Sequence, residues 1–197
     1  MAKRAFDFSI SAFALLLLWP ILLLAMVLIR FDSRGPAIFS QERVGKGFRN
    51  FRLLKLRSMT TSEIGTDITY GADQRITALG KFLRKYKIDE LPQLWNVLMG
   101  DMSIVGPRPE VPRLVFMFPS EFAAVLAVRP GLTSAASIKY RAEADILGQV
   151  EDPAAYYVNI VLPDKLRLEA EYVALNSFWR DISLIFATVR TCLLPES

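Results

Sequence analysis

The longest uniform stretch in the hydrophobic pattern runs from Phe8 to Ile29. It is 22 residues without a charge, in which only Ser9, Ser11 and Pro20 interrupt apolar side chains. As a straight helix at about 1.5 Å per residue it reaches roughly 33 Å, enough for a hydrocarbon core of about 30 Å. Two features compete with a simple span. Pro20 lies near the middle, where its missing N–H and its ring bend a helix. Lys3 and Arg4 precede the run and Arg30 and Arg34 follow it, so the basic bias of cytoplasmic flanks asks for both ends on one side. A spanning helix and a re-entrant hairpin, with arms Phe8–Trp19 and Pro20–Ile29, both satisfy the pattern. A cleaved signal peptide fits less well, because Arg30 to Arg34 holds no small-x-small site.

Beyond the anchor the pattern shortens. Ala37–Ser40 and Phe48–Leu56 read as strands around the turn Val44-Gly45-Lys46-Gly47-Phe48, and the polar, aperiodic stretch Thr60–Gln74 reads as a mobile loop able to cover a ligand. A helical period returns at Thr77, with Leu79, Phe82, Leu83 and Tyr86 on one side and Lys81, Arg84, Lys85 and Lys87 around it. Asp89-Glu90-Leu91-Pro92 then predicts a fresh helix start with an acidic cap, running to Gly100. Gly100 to Pro109 predicts a rigid turn holding Arg108 between prolines, and Arg129-Pro130-Gly131 repeats the theme. Val111–Phe118 and Ile182–Leu194 are amphipathic, suited to a membrane interface or to a core.

Composition narrows the chemistry. Hydrophobic residues make up 52% of the 197, and 24 Lys and Arg against 20 Asp and Glu leave a net charge of +4, which excludes a disordered chain. There is no histidine, which removes Ser-His-Asp and Cys-His relays and histidine-bound zinc or haem; the single Cys192 removes an intrachain disulfide and cysteine-built metal clusters. Reactive chemistry must then use carboxylates, Lys, Arg, Tyr or hydroxyls. Arg43, Lys46, Arg49, Arg52, Lys55 and Arg57, against the single acid Glu42, form a basic stripe suited to anionic headgroups or a phosphorylated ligand. Nucleic acid is not expected, since the net charge is small and no nucleic-acid motif appears.

Asp89 and Glu90 have a plain reading, an N-cap and a first-turn acid. Their functional reading is a division of labour. Neighbouring helical residues point in different directions, so one carboxylate can attack phosphorus while the other holds Mg²⁺ with diphosphate oxygens. A helix N-terminus and nearby cations are expected to keep the attacking Asp ionised.

The stretch 77–109, TALGKFLRKYKIDELPQLWNVLMGDMSIVGPRP, resembles the signature core of the bacterial sugar transferase family, the small monotopic phosphoglycosyl transferases. The resemblance extends to KRAFDF at 3–8, FSQERVG at 39–45, KLRSM at 55–59, RPGLTS at 129–134 and EYVALNSFWRDISLIF at 171–186, and so covers nearly the whole chain except about 142–163. It implies an α+β, mainly helical fold. It implies that residues 1–31 form a re-entrant helix-break-helix anchor broken at Pro20, and that residues 32–197 form a compact, membrane-associated cytosolic catalytic domain with a small β-hairpin and interfacial helices. The implied place is the bacterial inner membrane, monotopic, with the catalytic domain facing the cytoplasm. The implied reaction moves sugar 1-phosphate from a UDP-sugar to undecaprenyl phosphate with Mg²⁺, releases UMP, and passes through a phosphosugar on an Asp. This is a first membrane step of glycoconjugate or exopolysaccharide synthesis.

Carried over by position, the resemblance makes Asp89 the nucleophile and Glu90 the Mg²⁺ ligand. It makes Lys55, Arg57, Arg84, Arg108 and Arg129 contacts to the phosphorylated substrates. The chain departs from the common pattern in four places. Trp19-Pro20 replaces Ser-Pro, and Ser134-Ala135-Ala136-Ser137 replaces Gly-Trp-Ala-Gln. Residues 142–163 are longer than in the smallest members, and Glu169 stands where some relatives have Asp. A lipid-linked phosphatase using Asp89 with water as acceptor, or a membrane-tethered interaction module without catalysis, are the other classes compatible with these features.

Overall fold

The computed structural model describes residues 2–60, 73 and 75–193. The loop expected over Thr60–Gln74 falls almost wholly outside them. The fold is mainly helical with two small sheets. Helix α1 (Ala2–Asp32) contains the whole apolar run and stays helical on both sides of Pro20. It is long and apolar enough to cross a membrane, yet one side of it lies along the rest of the molecule. Asp7, Ser11, Ala25 and Ile29 are buried, while Ala14, Leu15, Leu18, Leu22 and Met26 pack against the two core clusters beneath. These positions recur every three or four residues, the period of one helix face. The opposite face leaves Phe13, Leu16, Leu17, Trp19, Leu24 and Phe31 mostly uncovered.

Both ends of α1 are tied down by polar contacts. Near the start, Lys3 pairs with Asp181. The Asp7 carboxylate accepts from the Ser103 hydroxyl at 2.8 Å and from the Ile104 N–H at 3.1 Å. Near the end, the buried Arg57 guanidinium donates to the carbonyls of Ile29 (3.2 Å), Ser33 (2.6 Å) and Pro36 (2.6 Å).

Strands β1 (Ile38–Val44) and β2 (Asn50–Leu56) form the expected antiparallel hairpin, with Phe39 opposite Lys55 and Arg43 opposite Phe51. Because directly opposed residues share a face, Gln41, Arg43, Leu53 and Lys55 project together. The basic stripe is therefore split: Lys46, Arg49 and Arg52 are exposed, whereas Arg43, Lys55 and Arg57 turn inward. Helix α2 (Ala78–Lys85) starts where the sequence places it, its first turn capped by Thr77, whose hydroxyl accepts from the Gly80 N–H at 2.9 Å.

The following segment differs from expectation. Asp89 and Glu90 lie in a 3₁₀ turn (Ile88–Glu90), and helix α3 begins only at Gln93 and runs to Met99. Lys87, at φ +57°, reverses the chain after α2, and no side chain caps the turn. Gly100, at φ +93°, ends α3, where Arg4 donates to the carbonyls of Val97 (2.5 Å) and Leu98 (2.7 Å).

A second sheet was not expected from the pattern. Strand β3 (Ser103–Val105) pairs in parallel with β4 (Gly131–Thr133). A Cβ at Gly131 would stand 2.1 Å from the backbone nitrogen of Gly106, so these glycines permit the approach. Between the two strands lie α4 (Pro112–Met117) and α5 (Pro119–Val125). After β4 come α6 (Ala135–Lys139), α7 (Glu143–Leu147) and α8 (Pro153–Tyr156). A π-turn (Tyr157–Val161) leads into α9 (Leu162–Leu175), and α10 (Phe178–Leu193) closes the described chain. Val44, Val115, Phe122, Leu147, Val161 and Leu162 form one core, Leu53, Leu94, Val97, Met102, Val105 and Tyr172 a second, and Ala25, Ile29, Leu56 and Leu83 a third.

Candidate active site

The site is built on the 3₁₀ turn. A short stiff helix would have pointed Asp89 and Glu90 outward around its axis; the reversal at Lys87 instead sinks both carboxylates, at 6% and 8% exposure. Glu90 is locked. Arg108 reaches its Oε1 at 2.7 Å and its Oε2 at 3.4 Å, and the Lys55 ammonium reaches Oε1 at 3.3 Å. Burial alone would raise the Glu90 carboxyl, but Arg108 and Lys55 outweigh it and hold the group well below the usual carboxylate range. Glu90 in turn raises the Arg108 guanidinium further. Burial lowers Lys55, against the pull of Glu90.

Asp89 is placed differently. Its Oδ1 is buried and has no hydrogen-bond partner among the described residues. Burial pushes its carboxyl up, Glu90 adds to this, and Lys55, Lys87 and Arg84 pull it down. The expectation of an Asp held ionised by a helix start is therefore corrected: the helix begins four residues later, and desolvation leads. Arg84, at the end of α2, contributes its charge here, and its Nη1 is also buried without a partner among the described residues. A buried carboxylate oxygen and a buried guanidinium nitrogen within electrostatic range of each other, both without partners among the described residues, are each costly unless a ligand completes them.

The structure thus brings together Asp89, Glu90, Lys55, Arg84 and Arg108. It commits Arg57 and Arg129 elsewhere. Arg57 binds the three backbone carbonyls at the end of α1. Arg129, exposed, donates from Nε to the Gly100 carbonyl at 2.8 Å, at the far end of α3. Spacing alone cannot tell a phosphate-binding Arg from one that closes a backbone turn.

Two further groups border the site. Glu169 on α9 accepts from the Arg108 N–H at 3.4 Å; burial pushes its carboxyl up to about 7, against Ser134 and Arg108, and its Oε2 lacks a partner among the described residues. Behind Arg108, Glu110 meets Arg43 at 3.3 Å and the Tyr157 hydroxyl at 2.5 Å. Glu110 directly follows the Arg108-Pro109 pair, a signal that the sequence held, whereas nothing local marked Tyr157.

Among the described residues no three Asp, Glu or Cys side chains gather into a metal cage. The donor set does fit a Mg²⁺ that arrives with phosphate oxygens and keeps its waters. Asp89 Oδ1 is unpartnered. Glu90 accepts three hydrogen bonds on about four lone-pair sites.

A family model described as "Bacterial sugar transferase" matches residues 1–195. The chain belongs to the bacterial sugar transferase family. Its N-terminal helix α1, long and apolar enough to cross a membrane, is in keeping with a membrane-associated protein. It is similar to "UDP-N-acetylgalactosamine-undecaprenyl-phosphate N-acetylgalactosaminephosphotransferase" of Aeromonas hydrophila, 37% identical over 200 residues, which take in 97% of this chain and 43% of that protein. It is 36% identical over 202 residues to "UDP-glucose:undecaprenyl-phosphate glucose-1-phosphate transferase" of Caulobacter vibrioides, with 100% of this chain and 72% of that protein covered. To "Exopolysaccharide production protein PSS" of Rhizobium leguminosarum bv. phaseoli it is 38% identical over 196 residues, covering 95% of this chain and 92% of that protein. The sugar transferase chain thus spans less than half the length of the Aeromonas relative and nearly the whole of the Rhizobium one.

Proposed function

We propose that this chain transfers a sugar 1-phosphate from a UDP-sugar to undecaprenyl phosphate, with Asp89 as covalent nucleophile. The observation that carries the reading is the contrast inside the 3₁₀ turn: one buried carboxylate oxygen without a partner among the described residues, next to a second carboxylate fixed by two cations. The names of the relatives support the donor and acceptor classes.

The step balances as two displacements at one phosphorus. An Asp89 carboxylate oxygen attacks the phosphorus bearing the sugar, the bridging P–O bond to the nucleoside monophosphate breaks, and UMP departs with that electron pair. An acyl phosphate on Asp89 remains. A phosphate oxygen of the polyprenol phosphate then attacks the same phosphorus, and the Asp89 carboxylate leaves. Arg84 and Arg108 would meet diphosphate oxygens, and Lys55 would neutralise charge beside Glu90. A Mg²⁺ held by Glu90 and Asp89 would screen the diphosphate charge. Arg57 and Arg129 hold backbone in place rather than substrate.

The anchor reading is that α1 enters the bilayer from the cytoplasmic face and returns, with Pro20 at the bend. Support comes from both ends of α1 being bound to one folded body, through Asp7 at one end and Arg57 at the other. A span would carry those ends about 30 Å apart, on opposite sides of the bilayer. The exposed apolar face of α1, with Phe178, Trp179 and Phe186 of α10, would face lipid.

The test is UMP release by the full chain in nanodiscs with a panel of UDP-sugars, Mg²⁺ and undecaprenyl phosphate. UMP that requires the lipid and disappears in Asp89→Asn supports the transferase. Free sugar phosphate or inorganic phosphate without a lipid product would make the chain a hydrolase, and undiminished activity in Asp89→Asn, with deamidation excluded, would remove the nucleophile.

A further inference from the structure

Arg108 is the only cation that grips both oxygens of Glu90 among the described contacts, and it stands in a turn with little regular structure. Its backbone is held from both sides. The Arg108 N–H donates to Glu169, and the next carbonyl, that of Pro109, accepts from Arg43 Nη1 at 3.2 Å. Among the described contacts Arg43 is aimed by two side-chain acceptors, Gln41 Oε1 at 2.8 Å and Glu110 Oε2 at 3.3 Å. Glu110 is itself aimed by the Tyr157 hydroxyl, which donates to the other oxygen, Oε1, at 2.5 Å.

Tyr157 comes from the segment 142–163, which lies between the motifs quoted for the resemblance, although the family model runs through it. It is 3% exposed and opens the π-turn that precedes α9. A π-turn widens the helix by one residue and changes which side chains share a face. Here Tyr157, Val161, Lys165 and Glu169 are all buried. Lys165 donates to the Tyr157 hydroxyl at 3.4 Å and lies 4.9 Å from its ring centroid, and it pairs with Glu143. The hydroxyl thus accepts from Lys165 and donates to Glu110, so its proton has one direction to go.

We infer that Tyr157 is a positioning residue for Arg108: through Glu110 and Arg43 it fixes the Pro109 carbonyl and so the aim of the guanidinium at Glu90 and at a diphosphate. The catalytic meaning rests on the transferase reading above; the mechanical meaning does not. A phenylalanine at 157 keeps the ring and its packing but leaves Glu110 Oε1 without its donor. Glu110 then turns, and Arg43 loses one of the two acceptors that direct it at Pro109.

Two measurements on the full chain in detergent test this. Hydrogen exchange of peptides covering 103–113 is compared for wild type and Tyr157→Phe at matched melting temperature. Faster exchange there, with α2 and α3 unchanged, is expected; unchanged protection overturns the inference whether or not the protein is active. In the UMP assay Tyr157→Phe is expected to lose about tenfold in kcat/KM, and the same substitution in an Arg108→Ala background to lose less than twofold. Equal losses in both backgrounds would mean that Tyr157 does not act through Arg108. If wild type releases no UMP from any donor, the transferase reading fails while the exchange result still decides the mechanical link.

Discussion

Arg108 closes on both carboxylate oxygens of Glu90, at 2.7 and 3.4 Å, while the neighbouring Asp89 leaves Oδ1 unpartnered in the same buried turn. Adjacent residues of one type are thereby assigned opposite tasks. Glu90 is fixed by two cations that hold its carboxyl well below the usual range, and Asp89 keeps one buried oxygen without a hydrogen-bond partner among the described residues.

The fork geometry of Arg108 makes lysine a poor replacement. Arg108→Lys is expected to lower kcat/KM more than tenfold, whereas Arg108→Ala also leaves a buried Glu90 oxygen short of a donor and destabilises by about 1–3 kcal/mol. Steady-state kinetics with denaturant titration check this. A lysine variant with wild-type kcat/KM would show that a point charge suffices.

Lys55 lies in β2 and Arg57 two residues on, just past its end, and the structure gives them different partners. Arg57→Ala is expected to lower stability by about 2 kcal/mol, since three carbonyls lose a charged donor, with little change in donor KM. Lys55→Ala is expected to raise donor KM with a smaller stability loss. The reverse pattern would return Arg57 to the substrate.

Glu169 predicts a pH dependence. Its carboxyl is raised from 4.5 to about 7 by burial, so the folded state holds a proton that the unfolded state releases. Its contribution is fully present below about pH 4.5 and is lost as pH rises through about 7. Glu169→Gln should match wild type near pH 4 and be more stable at pH 8 by on the order of 1–3 kcal/mol. Denaturant titrations across that range measure it; parallel curves at all pH values would contradict the shift.

The anchor is checked by labelling. In a Cys192→Ser background, Lys3→Cys and Arg34→Cys are expected to react with a membrane-impermeant maleimide only after the inner membrane is opened. Labelling of one of them in intact spheroplasts would make α1 a span.

What the sequence made legible followed from periods and from local rules. The β-hairpin around Gly45 and Gly47, the helix start at Thr77 and the stop at Gly100 each depend on a few adjacent residues. Asp89, Glu90, Lys55, Arg84 and Arg108 were legible because motif spacing carried them. The 3₁₀ turn was not, because Asp before Pro in a helical pattern reads equally as a cap; the reversal at Lys87 goes with Leu83 of α2 and Leu94 of α3 packing into different core clusters. The parallel β3–β4 pair joins residues almost thirty apart through three-residue strands, too short for any alternation to show. The buried links Asp7–Ser103 and Tyr157–Glu110 join distant segments, and a single chain gives no local sign of them. Arg57 and Arg129 show the limit of motif spacing in the other direction: the spacing points to substrate, and the structure shows donors of both bound to backbone carbonyls.

The most direct measurement is the intact mass of the full chain after incubation with UDP-sugars and Mg²⁺, with polyprenol phosphate withheld. The account predicts a mass increase of one phosphosugar, localised to Asp89, released by hydroxylamine and by added undecaprenyl phosphate, and missing in Asp89→Asn. A wild-type chain that makes the lipid product yet never carries the adduct, with UMP appearing only when both substrates are present, would contradict it and require direct transfer between them.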